Sequence, residues 1–276
     1  MVPLPPSKYQ RQKARGPLSG NHGFTRRDGA RSRARIRQRG NSREARSMKV
    51  EIEIHREGEA AIVEYDYERR DPDEKPMILD VLLQAQATEM PNLAFRYGCR
   101  ARNCGVCTVD VNGRPRLACR ARIREGDRVS PVNTLPPLAD LVVRRDGVAR
   151  QMRGRLNSVA QGNDLNLDPP EDYHKLTACI ECYACLQGCP MHARNLSDKK
   201  ETNTTDGYRW GNPFSLLKLQ ILRIDPLSSA AGRSQALEHA KDLGLDACKD
   251  CKGCKCGVGI DLMGKVIRPL LRAAEE

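Results

Sequence analysis

The spacing of apolar residues along the chain changes period twice. From residue 48, "MKVEIEIHR" alternates Val50, Ile52 and Ile54 with polar neighbours, and "AIVEYDY" repeats the rhythm, so both stretches predict strands. "MILDVLLQAQA", Met77 to Ala87, then sets Ile78, Val81, Leu82 and Ala85 on one face at helical spacing. Beyond it, "TVDVNGRPRLAC" alternates Val109 and Val111, breaks at Asn112-Gly113 and returns. Asn-Gly tolerates positive φ at both central positions of a tight turn, which predicts a hairpin. "DRVSPV" and "DLVV" add short β segments. After about Gly147 the two-residue period is gone, and helical stretches take over in "PFSLLKLQILRI", "SQALEHAKDLGL" and "DLMGKVIRPLLRAAEE". The pattern predicts an α+β chain, with a small β-rich domain over residues 48–146 and a helical domain over 147–276. No stretch is long and apolar enough to cross a membrane.

Charge changes this picture only for residues 1–47. They hold 13 Lys or Arg against two acids, Asp28 and Glu44, and so carry +11 of the formal +12. The rest is close to neutral, with 34 basic and 33 acidic side chains. "RRDGARSRARIRQRGNSREARS" has almost no apolar periodicity and cannot bury enough surface to offset chain entropy, which predicts a disordered tail. Such an arm suits nucleic acid or an anionic membrane surface. A twin-arginine export signal would need an apolar stretch after Arg26-Arg27, and none follows. Met48 is the other candidate start, with the tail an upstream reading error, and that is the preferred expectation.

The chemistry is carried by cysteine. All twelve fall into three groups of four. The first, Cys99, Cys104, Cys107 and Cys119, is spaced C-x4-C-x2-C-x11-C. Twelve cysteines in 276 residues is not the density of a small secreted scaffold, which argues against disulfides. Zinc favours paired C-x2-C knuckles. The x4-x2 spacing with a distant fourth thiol is the plant-type [2Fe-2S] arrangement. Gly98, Ala101 and Gly105 supply the small residues and inward amides such a loop needs, and the hairpin returns Cys119 to the other three. The second group, Cys179, Cys182, Cys185 and Cys189, reads C-x2-C-x2-C-x3-C-P, the bacterial ferredoxin run whose fourth cysteine serves another cluster. Pro190 is expected to turn the chain away there. A further set must lie downstream, and Cys248, Cys251, Cys254 and Cys256 supply it.

These motifs, in this order, resemble the iron–sulfur subunits of succinate dehydrogenase and fumarate reductase over roughly residues 48–270. "GNPFSLLKLQILRIDP" resembles the family's linking helix, and "CGVGIDL" the segment after its last cysteine. The resemblance implies a β-grasp-like [2Fe-2S] ferredoxin domain followed by an all-α ferredoxin domain with two cubane-type clusters. It implies an electron-transfer subunit between an FAD-containing flavoprotein, which interconverts succinate and fumarate, and a partner exchanging electrons with quinone or another carrier. By the family's pattern Cys179, Cys182 and Cys185 share one [4Fe-4S] cluster with Cys256, and Cys189 joins the downstream set.

This chain departs from the pattern at the third group. Respiratory members hold a [3Fe-4S] centre there because one position lacks a thiol, whereas Cys251 stands at about that position here. Cys189, Cys248, Cys251 and Cys254 are therefore expected to hold a second [4Fe-4S] cluster, with [3Fe-4S] as the alternative. Only Lys255 separates Cys254 from Cys256, and Gly257 replaces the usual proline, so which of the two cysteines serves which cluster is left open. Lys249, Lys252 and Lys255 either raise the potential of that centre or are solvated. Arg96, Arg100 and Arg102, near the first loop, invite the same two readings and could also dock an acidic partner. His192 is read as solvated or structural. Lys249 stands where respiratory members carry a histidine near quinone, so a thiol-linked fumarate reductase of the methanogen branch, with a soluble cysteine-rich subunit in place of a membrane anchor, is the runner-up.

No dinucleotide turn, Ser-His-Asp set or carboxylate pair is present, so no catalytic substrate site is expected in this chain itself. Reduced thiols and the missing export signal predict a cytoplasmic protein, free or held peripherally on the inner membrane face through a partner. The remote alternative is a basic nucleic-acid-binding protein with structural metal.

Overall fold

The computed structural model describes residues 47–157, 167–197 and 207–276. Expectations for the basic tail fall outside these residues, apart from Ser47.

Two long strands open the fold. β1 (Ser47–Arg56) and β2 (Glu59–Glu68) pair antiparallel along their whole length, joined by Glu57-Gly58 with φ of 52° and 86°. Strand alternation points Met48, Val50, Ile52, Tyr65 and Tyr67 to one buried face. Helix α1 (Ile78–Ala87) lays its predicted stripe on that face, burying Ile78, Leu79, Val81, Leu82 and Ala85. Its first turn is fixed by Asp80, whose carboxylate accepts from the Met77 amide at 3.0 Å. β3 (Thr108–Val111) and β4 (Arg114–Leu117) form the predicted hairpin, with Asn112 and Gly113 at φ of 49° and 73°. β5 (Arg128–Ser130) lies parallel to β1 and antiparallel to β3, so the five-stranded sheet runs β2-β1-β5-β3-β4. β6 (Pro137–Ala139) and β7 (Val142–Val143) make a separate small hairpin.

Helices follow: α2 (Asp146–Gln151), α3 (Glu171–Thr177), α4 (Pro190–Ser197), α5 (Pro213–Ile224), α6 (Ala230–Asp242) and α7 (Arg268–Glu275), the last continuing a π-helical turn at Met263–Ile267. α5 coincides with the predicted "PFSLLKLQILRI". It is capped by Asn212, whose side chain accepts from the Ser215 amide at 3.0 Å, while Pro213 occupies the first helical position. α6 begins four residues before "SQALEHAKDLGL", at a Ser229 cap, and ends where Gly244 takes a φ of 90°. Pro190 does not turn the chain away as expected. It opens α4, because a residue whose missing amide would be unpaired anyway is well placed at a helix start.

Two apolar cores result. One lies between the sheet and α1, around Val50, Ile52, Ile78, Leu82, Val109 and Val129. The other gathers Leu176, Leu186, Leu216, Leu217, Ala236, Leu245, Val266 and Leu270 from the helices. Val132, Leu135 and Val143, which follow the sheet in sequence, pack into this second core and tie the halves together.

Candidate functional site

The first cysteine loop is wound by left-handed residues. Arg100, Arg102 and Gly105 take φ of 54°, 63° and 63°. Turning the chain this way aims amides inward, as expected for Ala101: its N–H and that of Asn103 donate to the Cys99 Sγ at 3.3 and 3.2 Å. These bonds, with a contribution from Cys104, hold the exposed Cys99 thiol down near 7. Burial pushes Cys107 up to about 11 beside Cys119, and the Ala118 amide donates to the Cys107 carbonyl at 3.0 Å. The hairpin therefore brings the distant fourth thiol back to the first three.

Gly98 and Gly105 serve different ends. A Cβ on Gly98 would sit at an ordinary 3.5 Å from the Cys104 Sγ. On Gly105 it would lie 2.1 Å from the Ile180 carbonyl oxygen and 2.8 Å from the Cys182 nitrogen. Gly105 thus admits the second cysteine loop rather than merely shaping its own. Arg102 adds a bond to the Val258 carbonyl at 3.1 Å, and Gln187 donates to the Gly113 carbonyl.

The second loop is likewise wound by left-handed Glu181 and Tyr183, at φ of 54° and 59°. Tyr183 is pinned edge-on against Phe214 at 5.0 Å, with the Arg145 guanidinium 4.5 Å from its ring, while Arg145 also donates to the Glu181 carbonyl. Cys179, Cys182, Cys185 and Cys256 line one pocket with Phe214, Leu217 and Leu262. Burial raises the thiols of Cys179, Cys182 and Cys185, and each is raised further by neighbouring thiolates, Cys256 among them. The Val258 amide donates to the Cys256 Sγ at 3.4 Å.

Cys189, Cys248, Cys251 and Cys254 line a second pocket whose other walls are Met191, Pro213, Leu216, Met263 and Ile267. Burial pushes Cys248 up to about 12 and Cys254 up to about 11, with Cys189 and Cys251 adding repulsion. Cys254 thus lines the pocket of Cys189, Cys248 and Cys251, and Cys256 that of Cys179, Cys182 and Cys185, while Cys254 also adds repulsion at Cys185 and Cys256 at Cys254.

The donor chemistry fits an iron–sulfur core in all three places. All twelve thiols are unbridged. Four thiolates brought together, in apolar pockets for the second and third sets, require compensating positive charge, which ferric and ferrous iron would provide. Among the described residues no three His, Cys, Asp or Glu side chains are arranged to hold a single metal ion.

The basic residues singled out in the sequence do not line the two thiol pockets. Lys249, Lys252 and Lys255 are exposed, and Lys249 pairs with Asp246 at 3.0 Å. Arg96 and Arg100 are also exposed, the latter 5.1 Å from the Tyr97 ring centroid. His192 is not solvated. It is buried against Tyr208, with Nε2 2.6 Å from the Thr134 carbonyl, and burial lowers its pKa, so the ring is a neutral strut. Periodicity gave no sign of the buried amides that lock α2 and α4 to the start of α5. Gln151 donates to the carbonyls of Tyr208 and Trp210, Asn195 brackets Trp210, and Asn212 donates to Gln151. The only available signal was a polar residue on an otherwise apolar face.

Known proteins resemble this chain in sequence and in fold. The family described as "2Fe-2S iron-sulfur cluster binding domain" matches residues 46–150. A fumarate reductase (CoM/CoB) subunit of Methanothermobacter marburgensis is 31% identical over 205 residues, covering 71% of this chain and 38% of that protein. The fumarate reductase iron–sulfur subunit of Escherichia coli O157:H7 is 28% identical over 170 residues, 55% of this chain and 67% of the relative. The mitochondrial succinate dehydrogenase [ubiquinone] iron–sulfur subunit 1 of Oryza sativa subsp. japonica is 31% identical over 129 residues, 42% and 46% respectively. This chain therefore spans well under half of the methanogen protein. Among solved structures, a chain of the Mycobacterium smegmatis Sdh1 complex in the apo form shares the fold, with a TM-score of 0.67 at 24% identity over 82% of this chain and 95% of that one.

Proposed function

Since the chain belongs to the iron–sulfur subunit family of succinate dehydrogenase and fumarate reductase, we propose that it carries electrons between a flavoprotein subunit bearing FAD and quinone or another carrier. The observation that carries this reading is the sorting of twelve free thiols into three neighbouring sets of four, each set drawn from one loop plus a returning segment. Cys99, Cys104, Cys107 and Cys119 would hold a [2Fe-2S] cluster. Cys179, Cys182, Cys185 and Cys256 would hold a [4Fe-4S] cluster. Cys189, Cys248, Cys251 and Cys254 would hold a second, the added Cys251 supplying the thiol that a three-iron centre lacks. Such clusters, when bound, take up and release single electrons.

The protein's own part is to hold and insulate. The Ala101 and Asn103 amides stabilise negative charge at Cys99, and the Val258 amide does so at Cys256. Apolar walls of Phe214, Leu217, Leu216 and Ile267 keep water from the two helical-side pockets. The bare backbone of Gly105 against Ile180 and Cys182 keeps the first and second sets in contact through one main-chain layer. The two cubane sites would sit in an all-α domain spanning residues 147–276, after a [2Fe-2S] domain spanning 48–146. No helix among the described residues is long and apolar enough to cross a membrane. Twelve unbridged thiols suit the reducing cytoplasm, where the chain would work free or beside a membrane through an anchor subunit. The succinate or fumarate site would lie on the flavoprotein.

An anaerobic pull-down of the chain from its native host, read by mass spectrometry, tests this. Co-purification of an FAD protein with a membrane anchor or a soluble cysteine-rich subunit is the expected result. Recovery of no flavoprotein would overturn it.

A further inference from the structure

Two adjoining hollows run along the seam between the β3–β4 hairpin and the segments that carry Cys182 and Cys256. One, of about 210 Å³, is lined by Arg102, Arg116, Arg120, Cys182 and Gly257 among others. The other, of about 490 Å³, adds Arg114, Lys255 and Cys256, and shares Pro115, Arg116, Ala184 and Gly257 with the first. Together they make one cleft whose lining, among the described residues, holds five cations and no carboxylate.

The cations are placed there by the fold. Strand alternation sets Arg114 and Arg116 on the same side of β4, with Pro115 between them also lining the cleft. Arg120 follows one residue after Cys119, and Arg102 is held at the rim by its bond to the Val258 carbonyl. Arg114, Arg116 and Arg120 are exposed and make no ion pair or side-chain hydrogen bond with any described residue. Elsewhere acids do accompany the strand cations, as Glu51 does Arg128 at 2.6 Å and Glu64 does Lys49 at 2.5 Å. Like charges gathered without a counter-charge repel one another, so this cleft is arranged to meet negative charge from outside.

We propose that the cleft seats an acidic polypeptide segment of a redox partner, bringing that partner against the Cys182 and Cys256 side of the second thiol set. A run of carboxylates matches cations strung along both walls, and the planar guanidinium fork is suited to carboxylate. A small anion would meet only one or two of the five. The proposal rests on reading Cys179, Cys182, Cys185 and Cys256 as one redox centre. The step it serves is the transfer of one electron between that centre and the partner, with no bond made or broken.

The test uses the full-length holoprotein and a fluorescein-labelled hexaglutamate peptide, followed by anisotropy at low and moderate salt. The triple variant R114Q/R116Q/R120Q is expected to bind about tenfold more weakly, the combined effect of three exposed ion pairs. A variant with the same change of charge at exposed cations outside the cleft, K241Q/R268Q/R272Q, should bind like the unaltered protein. Bound peptide should also slow oxidation of the dithionite-reduced protein by ferricyanide, an anion drawn to the same cleft. Equal affinity for the triple variant would overturn the proposal. So would displacement of the peptide by millimolar inorganic phosphate, which would mark an anion site only, or preference for a short single-stranded DNA over the peptide. Iron and sulfide contents measured on the same samples separate failure of the cluster reading from failure of the cleft.

Discussion

Replacing Gly105 by alanine tests the contact between the first two thiol sets. The new Cβ would stand 2.1 Å from the Ile180 carbonyl oxygen, where ordinary contact begins at 3.4 Å, so the two loops must part by about 1.3 Å or distort. Overfilling a close-packed contact costs about 1–3 kcal/mol. A residue with a Cβ at a φ of 63° adds about 1–2 kcal/mol of backbone strain. Gly113→Ala is the matched control, because Gly113 has a φ of 73° but nothing within 4 Å of its Cβ position, leaving strain alone. In thermal unfolding followed by loss of visible absorbance, Gly105→Ala should melt roughly 2–12 °C below Gly113→Ala. Hydrogen exchange at the Cys182 amide should accelerate in the first variant only. Equal melting of the two variants, with unchanged exchange at Cys182, would refute the close-approach role.

Cys251→Ser should leave the first two sets intact and convert the third to a three-thiol site, giving a three-iron EPR signal in the oxidised protein; an unchanged spectrum would remove Cys251 from the ligand set. Asp110 is fully buried, and desolvation raises its carboxyl above the ordinary range against the Asn133 amide that it accepts at 3.0 Å. A carboxyl raised in the folded state favours folding when protonated, and that contribution is lost as pH climbs through the raised value. Asp110→Asn should therefore gain stability relative to wild type as pH rises from the ordinary carboxyl range through the raised value, in melting curves at constant salt. A stability difference that is flat with pH would contradict this.

Much of the fold was legible because period and turn chemistry agree. The alternation in "VEIEIH", the helical stripe from Ile78 to Ala85 and the Asn-Gly turn each specify a local structure that packing then reinforces. The order of the cysteine groups was equally legible, since thiol spacing directly encodes how a loop can converge. Pairing across the gap between Cys182 and Cys256 was not, because the spacing of Cys254 and Cys256 allows either partner set. The fold lays Gly257 beside Cys182 and Ala184, which supports the assignment proposed for Cys256. The second role of Gly105, beyond winding its own loop, was hidden for the same reason, since a glycine within a loop gives no sign of a neighbour 75 residues later in the chain. The state of His192 depended on Thr134 and Tyr208, which no local pattern joins to it.

In the proposed assignment the twelve thiols hold one two-iron and two four-iron centres. Iron and acid-labile sulfide determined per chain on anaerobically purified protein, with low-temperature EPR of the oxidised and reduced forms, address it most directly. Three such centres predict about ten iron and about ten sulfide per chain, no three-iron signal when oxidised, and reduced signals from both kinds of cluster. About nine iron with a stoichiometric three-iron signal, or zinc without sulfide, would contradict the claim.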